Sequence, residues 1–482
     1  MSKFVTKLNL KDLDGFYRKT YTHHLPNSLP VRYNVIAATI ELSAGHAMPK
    51  MTRRCPADSI KFIKGENTMG NIQKDIAVVR ELTKQYMEIA MSEKHIRMRK
   101  RFKDTNDLKI VRPPVNVEEI PWHEMNFEGA LDCVCEDSGL RGMEYGLRVA
   151  LYREKYFKCD NYIQPVWVIG KSYSSTGIGF SGNETQLAVD KKNSIVSHSY
   201  VDVLEDESSL DLYHDPVVTA YPENDAKNKA YIQEIIGDIM PVEIQGNYIY
   251  YSPWDQISML RGVEPILVDM YERPEYLHKI IKLFTRGMQC EMDQMEALGL
   301  YDPRAISVHC TPGEVTPTTA PDENHYMCKD IWFRTMAQMF SSISPDAHYE
   351  FDVQYSIPLA SRCAYTYYGC CEPLHDRIDM LKRYPNLRKI GVSPWADVEK
   401  SAEAIGKDYV LSRKPNPANV ALNTDPDFIR QEITETVKLC LKYGCPCDIT
   451  LKDISTVGYK PQNLMIWTET VSDVLDEFYG VS

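Results

Sequence analysis

Hydrophobic and polar positions along the chain follow a helical period first and an alternation of strands and helices later. In residues 71–103 the helical spacing of three and four is kept by the apolar positions Ile72, Ile76, Val79, Leu82, Tyr86 and Ile89. This spacing predicts one long amphipathic helix, and the Arg-Pro-Pro-Val run at 112–115 is predicted to end it. A further helical stretch, which includes Cys133 and Cys135, is predicted to end near Tyr156.

Residues 1 to about 70 show no such period and contain scattered Pro and Gly. We interpret them as an extension that either wraps the body of the protein or contacts another subunit, so a homodimer is one expectation. Together with the long helix they make residues 1–110 a mostly helical N-terminal extension.

From residue 165 onward, short apolar runs alternate with amphipathic stretches. The run 165–169 predicts the first buried strand, and residues 171–200, rich in Gly, Ser and Thr, predict a hairpin insertion. Further strands are predicted at 241–245, 305–310, 348–353, 364–370, 387–392, 409–412 and 447–451. Helices are predicted from 254, at 274–298, 329–342, 374–384, 398–405 and 426–443, and from 461 onward.

Strands joined by helices of this length pair in parallel, because parallel neighbours need a crossover. About eight such units predict a closed (β/α)8 TIM barrel over residues 111–482. A doubly wound open sheet is the alternative, and a Gly-rich phosphate loop between a strand and a helix would favour it. The Gly-Ile-Gly-Phe-Ser-Gly run at 177–182 matches such a loop but precedes a predicted hairpin, which disfavours a dinucleotide site.

The charge and composition of the chain limit which kinds of binding partner and which location are expected. The 482 residues carry a formal net charge of −12, so no nucleic acid is expected as a partner, because phosphate contacts need clustered Lys and Arg. We interpret the one basic run, residues 94–103, as the solvated end of a helix. No membrane-spanning run and no secretory signal are visible, so a cytoplasmic location is expected. The thirteen cysteines are then expected to be reduced thiols.

Several motifs are similar to those of the uroporphyrinogen decarboxylase superfamily. The matching segments are Arg261-Gly262, Asp269-Met270-Tyr271, Arg273-Pro274-Glu275, Ser344-Pro345, Tyr368-Gly-Cys-Cys-Glu-Pro-Leu374, Ser393-Pro-Trp-Ala-Asp397, Ser412-Arg-Lys-Pro-Asn-Pro417 and Lys452-Asp-Ile-Ser-Thr456. The resemblance covers roughly residues 110–480 and is strongest over 240–480. It implies a (β/α)8 barrel, in agreement with the pattern of strands and helices.

The resemblance implies one of two activities, porphyrinogen decarboxylation or methyl transfer to or from a corrinoid protein by a zinc methyltransferase. The chain lacks the Met-Arg-Gln-Ala-Gly-Arg type motif with which decarboxylases hold substrate carboxylates. The resemblance therefore favours a zinc-dependent methyltransferase that moves a methyl group from a small methylated substrate, such as a methyl ether, in an anaerobe. No corrinoid-binding Asp-x-His-x-x-Gly segment occurs, so the corrinoid is expected on a partner protein. A metal-free decarboxylase or lyase is the alternative, and a non-catalytic binding subunit is a third hypothesis.

The resemblance also implies a zinc site. In the related methyltransferases a His-x-Cys pair on one strand and a cysteine from another strand hold the metal, and the pair here reads His348 and Glu350. Two residues apart on a strand, these side chains would face the same side, and glutamate is an acceptable zinc ligand. Cys371 is expected as the next ligand, with Cys370 as the alternative, because neighbours on a strand point in opposite directions. The last cysteine of the family has no counterpart, and Cys447 is the nearest thiol.

Further candidates lie at the carboxyl ends of predicted strands, where barrel active sites sit. Glu372 and Asp397 could serve as general acids or bases, or only accept hydrogen bonds. Lys452 could steady a departing anion, or only pair with Asp453. Substrate contacts are expected from His309, Tyr248, Tyr250 and Trp254. Each of these also has an ordinary structural interpretation, as a hydrogen-bonded core histidine or as an aromatic side chain of the core.

Overall fold

The computed structural model describes residues 66–182, 184–187, 197–304, 307–323, 325–421 and 424–480. The strands are β1 Val115–Val117, β2 Trp167–Gly170, β3 Tyr173–Ser175, β4 Glu184–Leu187, β5 Ser197–Tyr200, β6 Val218–Ala220, β7 Val242–Gln245, β8 Ile249–Tyr251, β9 Trp332–Thr335, β10 Tyr365–Tyr368, β11 Leu387–Val392, β12 Val410–Arg413 and β13 Cys447–Leu451. The α-helices are α1 Glu66–Ala90, α2 Glu93–Asn106, α3 Ser138–Tyr156, α4 Pro222–Ile236, α5 Pro253–Arg261, α6 Val263–Glu272, α7 Pro274–Ala297, α8 Pro345–His348, α9 Gln354–Ala360, α10 Ile378–Leu381, α11 Val398–Ile405, α12 Pro426–Tyr443 and α13 Gln462–Tyr479.

The N-terminal helical part consists of two helices where the sequence predicts one. Helix α1 ends at Ala90, and α2 begins after Ser92, whose side-chain oxygen accepts a hydrogen bond from the backbone N–H of His95 at 3.4 Å. Helices α1 and α3 share a cluster of buried apolar side chains that includes Val79, Leu82, Tyr86, Leu140, Met143 and Leu147. The interpretation of residues 1 to about 70 falls almost entirely outside the described residues, and the division of the chain at residue 110 stays a prediction.

Seven strands form one parallel sheet in the order β1-β13-β12-β11-β10-β9-β8. The first strand pairs with the last, and the order between β13 and β8 runs without reversal. This is the strand order of a barrel, whereas a doubly wound sheet reverses direction at a switch point. Strands β2 and β7 form a separate parallel ladder. Among the described residues no ladder joins β8 back to β1, so the fold is TIM-barrel-like, with no continuous ring of strand hydrogen bonds.

Most predicted elements of the barrel part are confirmed. Strands β11 and β13 and helix α12 have the predicted bounds, and α7, α11 and α13 agree within one or two residues. Proline stands in the first turn of α12, and Gly444 ends this helix with φ 71°. The loop at 177–182 is followed by strand β4 and not by a helix, as the sequence indicates.

Two predicted elements are wrong, and both errors affect the site. The predicted helix at 329–342 is strand β9 followed by a 3-10 turn, Gln338–Ser342. The predicted strand at 348–353 is helical: α8 ends at His348, and a π-helical turn, Tyr349–Val353, joins α8 to α9. Ser344 caps α8 by accepting a hydrogen bond from Ala347 N at 3.1 Å, with Pro345 in the first turn. These two local signals favour a helix where the apolar pattern resembles a strand.

Two other predicted elements are described only in part. Residues 305 and 306 of the predicted strand at 305–310 lie outside the described residues, and Val308 forms a single bridge with Thr311. In the predicted hairpin at 171–200, β4 pairs with β5 antiparallel, while β3 pairs with β6 beyond the predicted limits. Residues 188–196 lie outside the described part. None of the described helices is long and apolar enough to cross a membrane.

A buried carboxylate joins three neighbouring strands inside the sheet. Asp448 on β13 accepts a hydrogen bond from the Lys389 ammonium of β11 at 2.7 Å and from the Ser412 hydroxyl of β12 at 2.6 Å. It also accepts one from the Thr311 hydroxyl at 2.9 Å. The Lys389 and Asp448 side chains are 1% and 0% exposed. A buried charge pair needs such additional hydrogen bonds to offset its desolvation.

Replacing Lys389 with Met is expected to lower the free energy of unfolding by about 3–5 kcal/mol, because Asp448 would lose its counter-ion while remaining buried. Urea unfolding followed by circular dichroism measures the change. The matched control is Lys382→Met, which removes an exposed pair with Asp379 (2.8 Å, 38% and 91% exposed) and is expected to cost less than about 1 kcal/mol. Equal changes in the two variants would show that the buried pair has no special role.

Candidate active site

A small pocket opens where strands β10 to β13 end. Its lining comes from the segments that follow four strands, namely Cys370, Cys371, Pro394, Trp395, Lys414, Pro415, Asn416, Pro417, Lys452 and Asp453. Its volume is about 40 Å³, which suits a small chemical group. The carboxyl ends of parallel strands are the usual place of chemistry in barrels.

Gly369 fixes the turn that brings the two cysteines to the pocket. Its φ is 112°, a value that side chains of other residues rarely tolerate. A Cβ added there would lie 2.7 Å from Leu374 Cδ1 and 3.4 Å from the backbone of Gly391. The chain after β10 therefore needs glycine at this position, and Cys370 and Cys371 follow directly.

The floor of the pocket is a cluster around the Lys452 ammonium. Its Nζ contacts the Oδ2 of Asp453, lies 3.8 Å from Glu119 Oε2 and lies 3.6 Å from Cys370 Sγ. Lys452 is 3% exposed. The Glu119 carboxyl also accepts a hydrogen bond from the Asp453 backbone N–H at 3.0 Å, so Glu119 lies beside Asp453.

Electrostatics keep this lysine charged. Burial alone would lower the pKa of Lys452, but Asp453, together with the two cysteines and Glu119, outweighs burial and raises the pKa well above its usual value. Burial likewise opposes ionisation of Asp453, yet the charge of Lys452 holds the pKa of that carboxyl far below its usual range. The pair is therefore an ammonium and a carboxylate at neutral pH.

The two adjacent thiols lie at the pocket wall. Cys370 Sγ and Cys371 Sγ are 3.5 Å apart, and the Cys371 thiol donates a hydrogen bond to Asp453 Oδ2 at 3.4 Å. The hydrogen bond with Cys370 and burial raise the pKa of Cys371 well above its usual value. Cys371 is thus a neutral thiol and a hydrogen-bond donor at neutral pH, not a thiolate nucleophile.

Glu372 lies next to the thiols but not in the pocket lining. It is 2% exposed, and its Oε2 accepts a hydrogen bond from the Cys370 backbone at 2.9 Å. Its Oε1 is buried with no hydrogen-bond partner among the described residues. Burial raises the pKa of Glu372 to about 7. This carboxyl is therefore uncharged over part of the physiological pH range. Its hydrogen bond with the Cys370 N–H helps to position the backbone at the thiols.

The three predicted zinc ligands have separate environments. Glu350 is 55% exposed and faces His278 at 3.3 Å. His348 is fully buried, and its Nε2 lies 2.6 Å from the Tyr368 hydroxyl. That hydroxyl donates its proton to Asp352 at 2.8 Å, so Nε2 of His348 must be the donor and offers no lone pair.

The prediction that His348 and Glu350 face the same side depended on a strand that does not form. On a helix, residues two apart face different sides. Cys371 alone of the three lines the pocket, and Cys447, the nearest thiol to the position of the family's last cysteine, is buried beside Asp448. Among the described residues, no three His, Cys, Asp or Glu side chains are grouped so that they could hold a metal ion.

Three other predicted site residues, Asp397, Trp254 and Tyr248, do not line the pocket. Asp397 caps helix α11 by accepting a hydrogen bond from Lys400 N at 3.0 Å, which is a structural role. Trp254 is fully buried, and its Nε1 donates a hydrogen bond to the Phe351 carbonyl at 3.0 Å, as expected for a core residue. Tyr248 is half-buried and packs against the core.

Tyr250 and His309 face charged groups that the sequence interpretation did not include. The guanidinium of Arg334 lies over the Tyr250 ring, with Cζ 4.1 Å from the ring centroid. Arg334 was missed because its strand β9 was predicted as helix. Lys414 is not among the predicted site residues, yet it is 2% exposed and lines the pocket. The sequence signal that could have identified Lys414 is its position, because it is a charged residue directly after a buried strand.

Comparisons with known proteins give little beyond the fold. No protein-family model matches the chain, and no curated protein matches it. Among solved structures, a methyltransferase from Methanosarcina mazei is similar, with a TM-score of 0.43 and 14% identity, over 79% of this chain and 99% of that chain. At this identity and TM-score, activity has to be argued from the side chains themselves.

Replacing Glu372 with Gln is expected to remove a pH dependence of stability. The pKa of Glu372 is about 7 in the folded protein and about 4.3 in an unfolded chain. Between these values only the folded form holds the proton, so wild-type stability falls as pH rises from about 4.3 to 7. At 1.36 kcal/mol per pKa unit, the loss is roughly 3 kcal/mol.

Urea unfolding at pH 5 and pH 8 measures this loss. The wild-type difference between the two pH values is expected to shrink by roughly 3 kcal/mol in Glu372→Gln. The control is Glu350→Gln, at an exposed glutamate, which is expected to keep the wild-type difference. An unchanged difference in Glu372→Gln would mean that this carboxyl is already ionised in the folded protein.

Proposed function

We propose that the chain is a methyltransferase that moves a methyl group from a small methylated compound to a corrinoid carried by a partner protein. The observation that carries this proposal is the buried, charged Lys452 at the floor of a small pocket. Asp453, Glu119 and Cys370 hold its ammonium in place. The pocket lies at the carboxyl ends of parallel strands, where a barrel places its reacting groups.

A methyl group leaves an oxygen, nitrogen or sulfur atom only when the negative charge that develops on that atom is stabilised. The Lys452 ammonium is a fixed donor for this purpose. As a nucleophile attacks the methyl carbon, the bond from carbon to the heteroatom breaks and its electron pair stays on the heteroatom. Lys452 donates a hydrogen bond to that atom as the charge develops, and solvent then supplies the proton that neutralises it. Asp453 keeps the ammonium charged and in place throughout the step.

The rim of the pocket suits a large apolar partner. Pro394 and Pro417 line the pocket and are partly exposed, and Trp395 is 57% exposed. A flat, mostly apolar macrocycle can lie on such a surface while its reactive face points into the pocket. The corrinoid then stays on the partner protein, and only the methyl-bearing group of the substrate enters.

The predicted zinc ion is not part of this proposal, because the residues present do not fit it. The three predicted ligands do not converge, and the Lys452 ammonium contacts both Cys370 and Asp453, the donors that line the pocket. A lysine cation and a dication cannot share the same donors at contact distance without strong repulsion. The ammonium supplies the positive charge that a metal would otherwise bring to the leaving atom.

A metal-free decarboxylase is the second candidate, and one observation favours it. Lys414 and Lys452 line the pocket, and Arg334 lies deeper in the barrel. Cationic groups of this kind hold substrate carboxylates, and an ammonium can protonate the carbon that loses carbon dioxide. Release of carbon dioxide from a carboxylated substrate, without methyl transfer, would identify this activity.

Replacing Lys452 with Met is expected to lower the rate of methyl transfer at least about 100-fold, the usual effect of removing a fixed hydrogen-bond donor to developing negative charge. The purified full chain is mixed with reduced free cobalamin and a methyl ether, a methylamine or a methyl thiol. Formation of methylcobalamin is followed by absorbance. The control is Lys407→Met, at an exposed lysine after α11, which is expected to keep the wild-type rate. Equal rates in the two variants would contradict the role of Lys452.

Removal of metal is expected to leave methyl transfer unchanged, because no step of the proposal uses a metal. The full chain is treated with a strong chelator, its zinc content is measured, and the same absorbance assay is repeated. Loss of activity that returns on adding zinc would overturn the assignment of Lys452 as the group that stabilises the leaving atom.

A further inference from the structure

A row of interior side chains crosses four neighbouring strands. The strand register pairs Tyr250 on β8 with Arg334 on β9, Arg334 with Tyr367 on β10, and Tyr367 with Lys389 on β11. Register partners in a parallel sheet share a face. Lys389 reaches Asp448 in the interior, so the whole row faces inward. The barrel interior at this level is polar and not an apolar core.

Arg334 has no acidic partner in this row. The described residues place no carboxylate oxygen within ion-pair distance of it, and its Nε is buried without a hydrogen bond. The guanidinium stacks on the Tyr250 ring, with Cζ 4.1 Å from the ring centroid. Asp255 is close enough to interact electrostatically, but its Oδ2 accepts a hydrogen bond from Gln338 at 3.1 Å. The buried Nε N–H costs free energy as long as no acceptor pairs with it.

His309 is the second unpartnered group. It is 2% exposed, and neither ring nitrogen has a hydrogen-bond partner among the described residues. Its ring lies 5.2 Å from the Tyr367 ring, and the Lys414 ammonium lies 5.9 Å from the same ring. Burial, followed by the positive charges of Arg334, Lys452 and Lys414, lowers the pKa of His309 well below its usual value. The histidine is thus a neutral donor among cations.

Two of the interior cations form no ion pair with any described residue. Lys389 pairs with Asp448, and Lys452 pairs with Asp453. Lys414 donates a hydrogen bond to Ser412 at 3.0 Å and forms no ion pair within the described part of the chain, and Arg334 forms none either. Two cations and a neutral histidine therefore lie in the same part of the interior as the unpartnered buried hydroxyls of Tyr250 and Tyr367.

We propose that Arg334, His309 and Lys414 form an anion-binding site that holds a carboxylate of the substrate below the reacting group. This deepens the proposed function and rests on it, since it assigns the methyl donor to the class of small carboxylated compounds. The guanidinium offers two parallel donors to a carboxylate, and the histidine and lysine offer further donors. Lys452 then lies at the methyl-bearing end and Arg334 at the anionic end.

The test compares two probes of equal size and shape. Methoxyacetate carries a carboxylate, and methoxyacetamide carries a neutral amide at the same position. Isothermal titration of the full chain is expected to show at least tenfold tighter binding of methoxyacetate, which is about 1.4 kcal/mol. In Arg334→Met the preference is expected to fall below about threefold. Equal binding of the two probes by the wild type, or no binding of methoxyacetate, would overturn the site.

A matched control separates the site from the general effect of losing an arginine. Arg383 also stacks on a tyrosine, with Cζ 4.1 Å from the Tyr349 ring, but it is exposed. Arg383→Met is expected to keep the full preference for methoxyacetate. Loss of the preference in both variants would show that it depends on overall charge and not on Arg334.

The unfolding temperature of Arg334→Met is a second test, because the loss of an arginine that supports the fold would lower that temperature. Because the Arg334 Nε is buried without a hydrogen bond and the guanidinium has no acidic partner among the described residues, Arg334→Met is expected to unfold at the same or a higher temperature than the wild type in buffer without added carboxylate. A lower unfolding temperature would show that Arg334 supports the fold and would overturn the assignment.

The outcomes also separate this site from the proposed activity. Binding of methoxyacetate with a dependence on Arg334, but without methyl transfer to cobalamin from any donor, would keep the anion site and overturn the methyltransferase. Methyl transfer with equal efficiency from methoxyacetate and methoxyacetamide would keep the methyltransferase and overturn the anion site.

Discussion

The buried contact between Asp448 and Lys389 is the constraint on which the rest of the interior depends. This ion pair lies where a barrel usually has branched apolar side chains. Further hydrogen bonds to both charged groups are needed to offset the cost of their desolvation. Ser412 and Thr311 supply such hydrogen bonds, and Ser412 in turn accepts a hydrogen bond from Lys414. The polar interior of the sheet thus continues from this pair up to the pocket.

Cationic side chains extend from the pocket to the interior row. At the floor of the pocket, Lys452 pairs with Asp453 and stays fixed in position. Lys414, in the pocket lining, and Arg334, on β9, form no ion pair with a described residue. Such an arrangement is unfavourable for folding and favourable for holding an anion, which is the usual balance at functional sites. The surrounding tyrosines supply ring faces and edges that tolerate cations at little cost.

The sequence predicts the parallel strands and most helices of the barrel because their apolar periods and end signals agree. The resemblance singles out Cys371 and the end of a predicted strand singles out Lys452, and both residues line the pocket. The prediction from the sequence fails at His348, where Ser344 and Pro345 start a helix within a segment whose apolar pattern suits a strand. It misses Arg334 because the aromatic residues of β9 also fit a helical period. Burial and pairing of a charge depend on distant strands, and a local pattern cannot show them.

Strand β13 carries the only acid that neutralises Lys389 in the described interior, and it lies near the end of the chain. A chain cut before residue 448 would leave that lysine charged and unpaired between strands that otherwise fit together. Strands β11 and β12 therefore depend on β13, which follows them in the chain, for the acid that makes the burial of Lys389 tolerable.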